Sequence, residues 1–135
     1  MREILFKAKR IDNGKWVVGQ YVNTCYPGND KETGHFIVVY PNKYHEIYTS
    51  TICQFTGLCD KNGKKIWEND ILMAHFDKYC PEDTTYETVE WSFAGFVIYE
   101  DGTRREYIDK FDLEHFEVVG NIFDNKELLQ EESDE

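Results

Sequence analysis

Short runs of β-branched and aromatic residues, separated by turn-forming residues, recur along the whole chain of 135 residues. Several of them alternate apolar and polar side chains, the pattern of a strand with one buried face. They predict strands at 5–9, 16–22, 35–40, 49–55, 70–76, 89–93, 96–99, 105–108 and 116–122. A single short helix is predicted near 125–130, with Asp124 or Asn125 as its N-cap. The predicted fold is mainly β.

Dipeptides that favour tight turns lie between several of these runs. Asn13-Gly14, Asn62-Gly63 and Asp101-Gly102 predict hairpins, because Gly adopts positive φ freely and Asn and Asp tolerate it. Residues 27–30, Pro-Gly-Asn-Asp, indicate a fourth turn inside a longer loop. We expect the irregular stretches at 25–33 and 78–85, where polar and turn residues accumulate.

Charge and hydropathy exclude several classes of protein. The chain carries 26 acidic and 15 basic residues, a formal net charge of −11. This charge disfavours direct nucleic-acid binding, since phosphate contacts need a positive surface. No apolar run approaches the length of a membrane span, and the N-terminus has no signal-peptide core. Residues 131–135 hold four acids and are predicted to form a solvated tail after a single domain at 1–130.

The residues that most often carry chemistry form no recognisable site. Cysteines stand at 25, 53, 59 and 80 and histidines at 35, 45, 75 and 115, without the close spacing of a zinc knuckle. No nucleotide-binding, hydrolase or metalloprotease motif occurs. We therefore predict no metal, no cofactor and no catalytic residue, with reduced thiols in an intracellular compartment.

Two segments resemble the signatures of a known family. Residues 54–72, QFTGLCDKNGKKIWENDIL, are similar to the pattern Q-Y/F-T-G-L-x-D-x-N-G-x-x-I-Y/W-E-G-D-I-V/L of the YopX family. Residues 116–129, FEVVGNIFDNKELL, are similar to its second signature, V-I/V-G-N-I-Y/F-E/D-N-x-E-L-L. The opening residues 1–8 also resemble the start of family members.

The resemblance implies a fold and an origin, but no activity. Members of this family are encoded mostly by bacteriophages and prophages, and their fold is β-dominated around an SH3-like small barrel. We therefore expect such a barrel core with extra hairpins and the short C-terminal helix, in the cytoplasm of a bacterial host cell. The biochemical activity of the family is not established, so no catalytic residue is transferred.

The signature residues are of the types that form turns and cores, so we interpret them as structural. Gly57 suits a conformation closed to other residues, and Asn69 replaces the family's Gly as the next-best residue for positive φ. Asp70 is expected to cap a turn, and Gly120-Asn121 to form a bulge or a close backbone approach. The complete structural set is Thr56, Gly57, Leu58, Asp60, Asn62, Gly63, Ile66, Trp67, Asp70, Gly120, Asn121 and Ile122.

The leading functional hypothesis is a non-enzymatic accessory protein that binds another protein or assembles with itself. Aromatic residues make up 16% of the chain, and tyrosine is enriched at binding hot spots as well as in small cores. We expect surface positions for Tyr40, Tyr44, Tyr48, Tyr79, Tyr86, Tyr99 and Tyr107. The alternative is an acidic nucleic-acid mimic that inhibits a host DNA-binding enzyme.

Overall fold

The computed structural model describes residues 4–74, 85–92, 95–100, 103–107 and 114–129. Antiparallel strands dominate these residues, so the fold is mainly β. The strands are β1 (Phe6–Lys9), β2 (Trp16–Tyr26), β3 (Asn29–Val39), β4 (Lys43–Glu46), β5 (Cys53–Cys59), β6 (Lys65–Trp67), β7 (Asp70–Ala74), β8 (Thr85–Ser92), β9 (Gly95–Glu100), β10 (Thr103–Tyr107) and β11 (Glu117–Asn121). Short 3-10 turns occur at Thr49–Thr51 and Lys126–Leu129.

By its internal contacts the chain divides into two compact units, Met1–Phe55 and Thr56–Glu135. The first unit is a meander in the order β4-β3-β2-β1, with the start of β5 on the other side of β1. A bridge between Arg10 and Ile47 joins the end of β1 to the residues after β4. The 3-10 turn then redirects the chain, and β5 runs antiparallel to β1.

The core of the first unit lies on one face of this meander. Ala8, Ile37 and Ile47 are fully or almost fully buried there, and Phe6, Val17, Tyr21 and Ile52 pack around them. The period of two along β1 and β2 explains the arrangement, because Phe6 and Ala8 share the inner face with Val17 while Lys7 and Lys9 turn outward. The alternation predicted from the sequence is therefore observed.

The hairpins of the first unit confirm one predicted position and correct another. Asn13-Gly14 lies in the β1–β2 turn as predicted, but Gly14 has positive φ (71°) and Asn13 does not, and the Arg10 N–H donates to the Lys15 carbonyl across a four-residue loop. Pro27-Gly28, by contrast, is not part of a longer loop. It is a two-residue turn with Gly28 at φ 80°, and Tyr26 pairs with Asn29 across it. The stretch predicted as irregular, 25–33, is thus strand over most of its length.

The second unit contains the end of β5, β6 and a five-stranded antiparallel sheet in the order β10-β9-β8-β7-β11. Its core cluster joins β6 to this sheet. The buried members are Ile66, Leu72, Ala74, Val89, Phe96, Ile98 and Phe116, with Leu58 and Val118 packed against them. Thr103 pairs with Glu100, while Asp101-Gly102, predicted as the turn between them, lies outside the described residues.

The structure differs from three predictions of the fold. The described strands form two antiparallel sheets and do not close into one barrel. At the C-terminal end, where a short helix is predicted near 125–130, the described residues contain a 3-10 turn of four residues, Lys126–Leu129. Residues 49–51, predicted as strand, form the other 3-10 turn. The strand β4 was not predicted, and β6 was predicted only as the second strand of the Asn62-Gly63 hairpin. The acidic tail and most of 78–85 lie outside the described residues.

Candidate functional site

The β5–β6 hairpin carries the first signature and turns around Asp60. The N–H of Asp60 donates to the Lys64 carbonyl at 2.8 Å, and the N–H of Gly63 donates to the Asp60 carbonyl at 3.0 Å. Gly63 has φ 83°, but Asn62 does not have positive φ. The turn is therefore a three-residue loop with glycine at its last position, not a two-residue hairpin with positive φ at both positions.

The side chain of Asp60 holds this loop and fastens it to the second signature. One carboxylate oxygen accepts from the N–H groups of Asn62 and Lys64 at 2.8 and 2.9 Å. The other accepts from the N–H of Val118 in β11 at 2.8 Å. Burial by itself would raise the pKa of Asp60, but the donors from Val118, Lys64 and Asn62, with the Lys64 charge, lower that pKa below its usual value.

The side chains of Thr56 and Asp70 also form hydrogen bonds with backbone groups, near the two ends of the first signature. The Thr56 hydroxyl donates to the Ile66 carbonyl at 2.7 Å and accepts from the Leu58 N–H at 3.1 Å. Gly57 between them has φ 90°, as its residue type predicts. Asp70 is 2% exposed and accepts from the Trp67 N–H at 2.8 Å, which is the expected turn cap.

Asn69 links the two signatures through its backbone. It has φ 73° and is the one residue other than glycine with positive φ in the part of the chain that the structure describes. Its N–H donates to the Val89 carbonyl at 2.7 Å, and its carbonyl accepts from the Ile122 N–H at 3.0 Å. In its left-handed conformation Asn69 thus bonds both to β8 and to the residue that follows β11.

The second signature contains the predicted bulge and the predicted close approach. The register of β11 against β7 shifts between Val118 and Gly120. A Cβ on Gly120 would overlap the side-chain oxygen of Asn125. That same oxygen accepts from the Asn121 N–H at 3.1 Å, while the Asn121 side chain accepts from Phe123 and Asp124 N–H groups at 2.9 Å each. Glycine at 120 therefore makes room for the side chain that caps Asn121.

The apolar signature residues do not share one core. Ile66 is buried in the core cluster of the second unit, and Val118 packs against that cluster. Trp67 and Ile71 are buried, but neither belongs to that cluster. Ile122 is only half-buried. From the sequence we expect these five residues to be largely buried and near one another. The burial of Ile66, Trp67 and Ile71 agrees with that expectation and the partial exposure of Ile122 does not, while alternating residues of β7 face opposite sides of the sheet.

A cavity of about 700 Å³ opens in the second unit where the two signatures meet. Its lining combines apolar, polar and charged side chains, namely Asn69, Thr88, Glu90, Ile122, Phe123, Lys126 and Leu129. It was not predicted from the sequence. The nearest signal is the end of the second signature, where the apolar side chain of Leu129 is 40% exposed.

The outer face of the first unit carries exposed aromatic and apolar side chains. Strand register places Tyr44, Glu46 and Tyr48 in a row on this face, with Ile11 opposite Glu46 and Lys9 opposite Tyr48. Tyr44 and Tyr48 are each 48% exposed and Ile11 is 43% exposed. We call Ile11, Tyr44 and Tyr48 the outer-face patch. Lys9 continues it towards Trp16, with its ammonium 5.5 Å from the ring centroid.

The other residues predicted from the sequence are placed as follows. Tyr40 is 92% exposed and Tyr86 is half-buried, whereas the side chains of Tyr79, Tyr99 and Tyr107 lie outside the description. Cys25 and Cys59 are exposed and Cys53 is buried. Among the described residues, no three His, Cys, Asp or Glu side chains come close enough together to hold a metal ion. None of the described helical segments has the length and hydropathy needed to span a membrane.

The geometry defines a small mainly β protein whose two signature segments are held together by backbone hydrogen bonds. The family model described as YopX protein matches residues 5–130. The chain belongs to the YopX family.

A solved structure and the curated proteins give two further comparisons. The crystal structure of protein EF1440 from Enterococcus faecalis is similar over 96% of this chain and 99% of its own, with 20% sequence identity and a TM-score of 0.58. At that identity the likeness shows a shared fold only. No curated protein matches the chain.

Proposed function

We propose that the protein is a phage or prophage accessory protein of the host cytoplasm that acts by binding, without catalysis. The observation that carries this proposal is the outer-face patch. Ile11, Tyr44 and Tyr48 leave large apolar surface in water next to Lys9 and Trp16. Tyrosine and tryptophan are the residue types most enriched at binding hot spots, so a protein partner or a second copy of this chain is the occupant that the patch fits.

The polar side chains of the signatures make structural hydrogen bonds, which supports a role in binding over one in catalysis. Asp60, Thr56 and Asp70 use their side chains on backbone groups of the same unit. These polar side chains belong to the two signature segments, and a carboxylate that accepts from three N–H groups, as Asp60 does, is a poor base. The enzyme hypothesis therefore receives no support from them.

We also propose an SH3-like core for the first unit, within one domain at 1–130. The supports are the meander β1 to β4, the 3-10 turn at Thr49–Thr51 and the return of β5 to pair with β1. The Arg10–Ile47 bridge brings β4 back towards β1 in the same way. SH3-like folds host many unrelated binding functions, so the fold alone selects no partner.

The acidic-mimic alternative receives less support from the described acids. Asp60 and Asp70 are buried caps. Asp12 pairs with Arg10, an interaction that lowers the pKa of Asp12, and Glu46 accepts from the Tyr26 hydroxyl, which raises the pKa of Tyr26. Mimicry needs a continuous row of carboxylates open to solvent. Direct nucleic-acid binding remains disfavoured by the net charge of −11.

The test is capture and self-association with a matched pair of variants. The double variant Ile11→Ser/Tyr48→Ser removes exposed apolar surface from the patch, and Tyr40→Ser removes an exposed tyrosine elsewhere. We expect a protein captured from host lysate, or a dimer in sedimentation equilibrium, that the double variant loses and Tyr40→Ser keeps. If wild type neither self-associates nor captures a protein, or if both variants behave alike, the proposal is wrong.

A further inference from the structure

The cavity of the second unit has the size and the composition of a site for a small ligand. Its volume, about 700 Å³, lies within the range of roughly 300–1,000 Å³ that such sites occupy. Ile122, Phe123 and Leu129 supply apolar surface, and Leu129 remains 40% exposed. Apolar surface left open in a concave position favours a ligand with apolar groups, which would remove it from water.

Backbone hydrogen bonds hold the lining in place. Asn69 donates its N–H to Val89, next to the lining residues Thr88 and Glu90, and accepts from the N–H of Ile122. One residue therefore fixes the relative positions of β8 and of the segment that carries Phe123 and Lys126. A site whose walls are ordered in advance loses less freedom when it binds, so this cavity needs no rearrangement to form.

Two opposite charges line the same cavity without neutralising each other. Glu90 and Lys126 are both exposed, and among the described residues neither takes part in an ion pair. The Thr88 hydroxyl lies 3.5 Å from a Glu90 carboxylate oxygen, a distance too long for a strong hydrogen bond. A ligand with one charge would be attracted by one of these groups and repelled by the other, whereas a ligand with both charges satisfies each of them.

We propose that this cavity binds a short zwitterionic peptide with apolar side chains. The peptide ammonium pairs with the Glu90 carboxylate, and its terminal carboxylate pairs with the Lys126 ammonium. Its apolar side chains cover Ile122, Phe123 and Leu129, and its amide groups face the polar lining residues Asn69 and Thr88. The volume of about 700 Å³ exceeds what a single amino acid fills, so a peptide of a few residues is the better match. This site goes beyond the proposed protein-binding function and does not depend on the outer-face patch.

The experiment titrates the full chain with the tripeptide Leu-Ala-Leu in three forms, namely free, N-acetylated and C-amidated. Amide chemical shifts report the location of binding, and calorimetry reports affinity. We expect shifts confined to Asn69, to β8 around Glu90 and to 122–129. Each blocked form should bind about threefold to tenfold more weakly than the free tripeptide, as expected for the loss of one solvent-exposed charge-assisted contact.

Single-charge variants identify which end of the peptide each residue reads. Glu90→Gln should weaken the free and C-amidated peptides but not the N-acetylated one, and Lys126→Met should weaken the free and N-acetylated peptides but not the C-amidated one. Glu32→Gln and Lys31→Met, at exposed positions of β3, are the matched controls and should change nothing. Equal affinity for all three forms, shifts outside the cavity, or no binding at millimolar peptide would overturn the proposal. None of these outcomes bears on capture by the outer-face patch.

Discussion

The carboxylate of Asp60 accepts a 2.8 Å hydrogen bond from the backbone N–H of Val118, which lies 58 residues later in the chain. The same carboxylate shapes the β5–β6 loop through Asn62 and Lys64. One side chain therefore builds a local turn and joins it to a distant strand. This double use gives a physical reason why a chain that carries the first signature also carries the second.

Asp60→Ala should destabilise the protein strongly. Asp60 is 7% exposed, and its removal leaves the N–H groups of Asn62, Lys64 and Val118 without their acceptor. We expect a loss of about 2–4 kcal/mol in the free energy of unfolding, measured with urea. Asp12→Ala removes an exposed carboxylate and is the control, with a nearly unchanged midpoint. Equal midpoints for the two variants would contradict the role assigned to Asp60.

The contribution of Asp60 should depend on pH in one direction. Hydrogen bonds from three N–H groups outweigh burial and place its folded-state pKa below the ordinary value of 3.8. A carboxyl whose pKa falls on folding stabilises the folded state fully above its unfolded pKa, and that stabilisation is lost as the pH falls through the folded pKa. The stability difference between wild type and Asp60→Asn should therefore be constant above about pH 5 and shrink below about pH 4. A difference that stays constant into acid would show that the pKa of Asp60 is not lowered.

The turn chemistry of the signatures could be predicted from sequence because it depends on single residues. Gly57 and Gly63 have positive φ, and so does Asn69. These positions depend on the steric limits of one residue, and a residue's type reports those limits directly. Asp70 belongs to the same class, since a short carboxylate after a turn has nearby N–H groups to accept from.

Features that depend on register or on distant segments could not be predicted. The Pro27-Gly28 turn sits between two long strands whose polar tips resemble a loop in sequence. The strand β4, Lys43–Glu46, has almost no apolar residue and exists because it pairs with β3. The cavity needs Asn69 and Ile122 side by side, and only the folded chain shows that their backbones are hydrogen-bonded.

Gly120→Ala should destabilise through its clash with Asn125. The added Cβ would overlap the Asn125 side-chain oxygen, so that side chain must move and release the Asn121 N–H. We expect a loss of about 1–3 kcal/mol by urea unfolding. In an Asn125→Ala background the overlaps with the side-chain oxygen and amide carbon of Asn125 are removed and only the 2.8 Å approach to the Cβ of residue 125 remains, so Gly120→Ala should cost less there. Strictly additive effects would show that the two positions do not interact.

Two substitutions at Asn69 should separate the effect of its backbone conformation on stability from the effect of its side chain. Its φ of 73° is accessible to glycine without strain and costs alanine about 1 kcal/mol. Asn69→Gly should therefore be more stable than Asn69→Ala by about that amount, although glycine ordinarily lowers stability relative to alanine. Thermal unfolding of the two variants, side by side, measures the difference. The reverse order would mean that the left-handed conformation at this position contributes no strain.

Truncation from the C-terminus separates the acidic tail, the last 3-10 turn and the Asn125 cap. Removing 131–135 should leave the melting temperature nearly unchanged, because four acids without an apolar side chain bury too little to offset their ordering. From the sequence we also expect Leu128 and Leu129 to anchor the short C-terminal helix, but in the structure Leu128 is only half-buried and Leu129 is exposed. Ending the chain after Asn125 should therefore lower the melting temperature only slightly.

Ending the chain after Phe123 should lower it further, because the Asn121 N–H then loses the Asn125 oxygen, its acceptor at 3.1 Å. The full-length variant Asn125→Ala should reproduce most of that additional loss, and this is the check that assigns it to the cap. Differential scanning calorimetry on the three truncations and the point variant gives the comparison. If the chain that ends at Asn125 already melts as low as the chain that ends at Phe123, then the two leucines, and not the cap, stabilise this end of the protein.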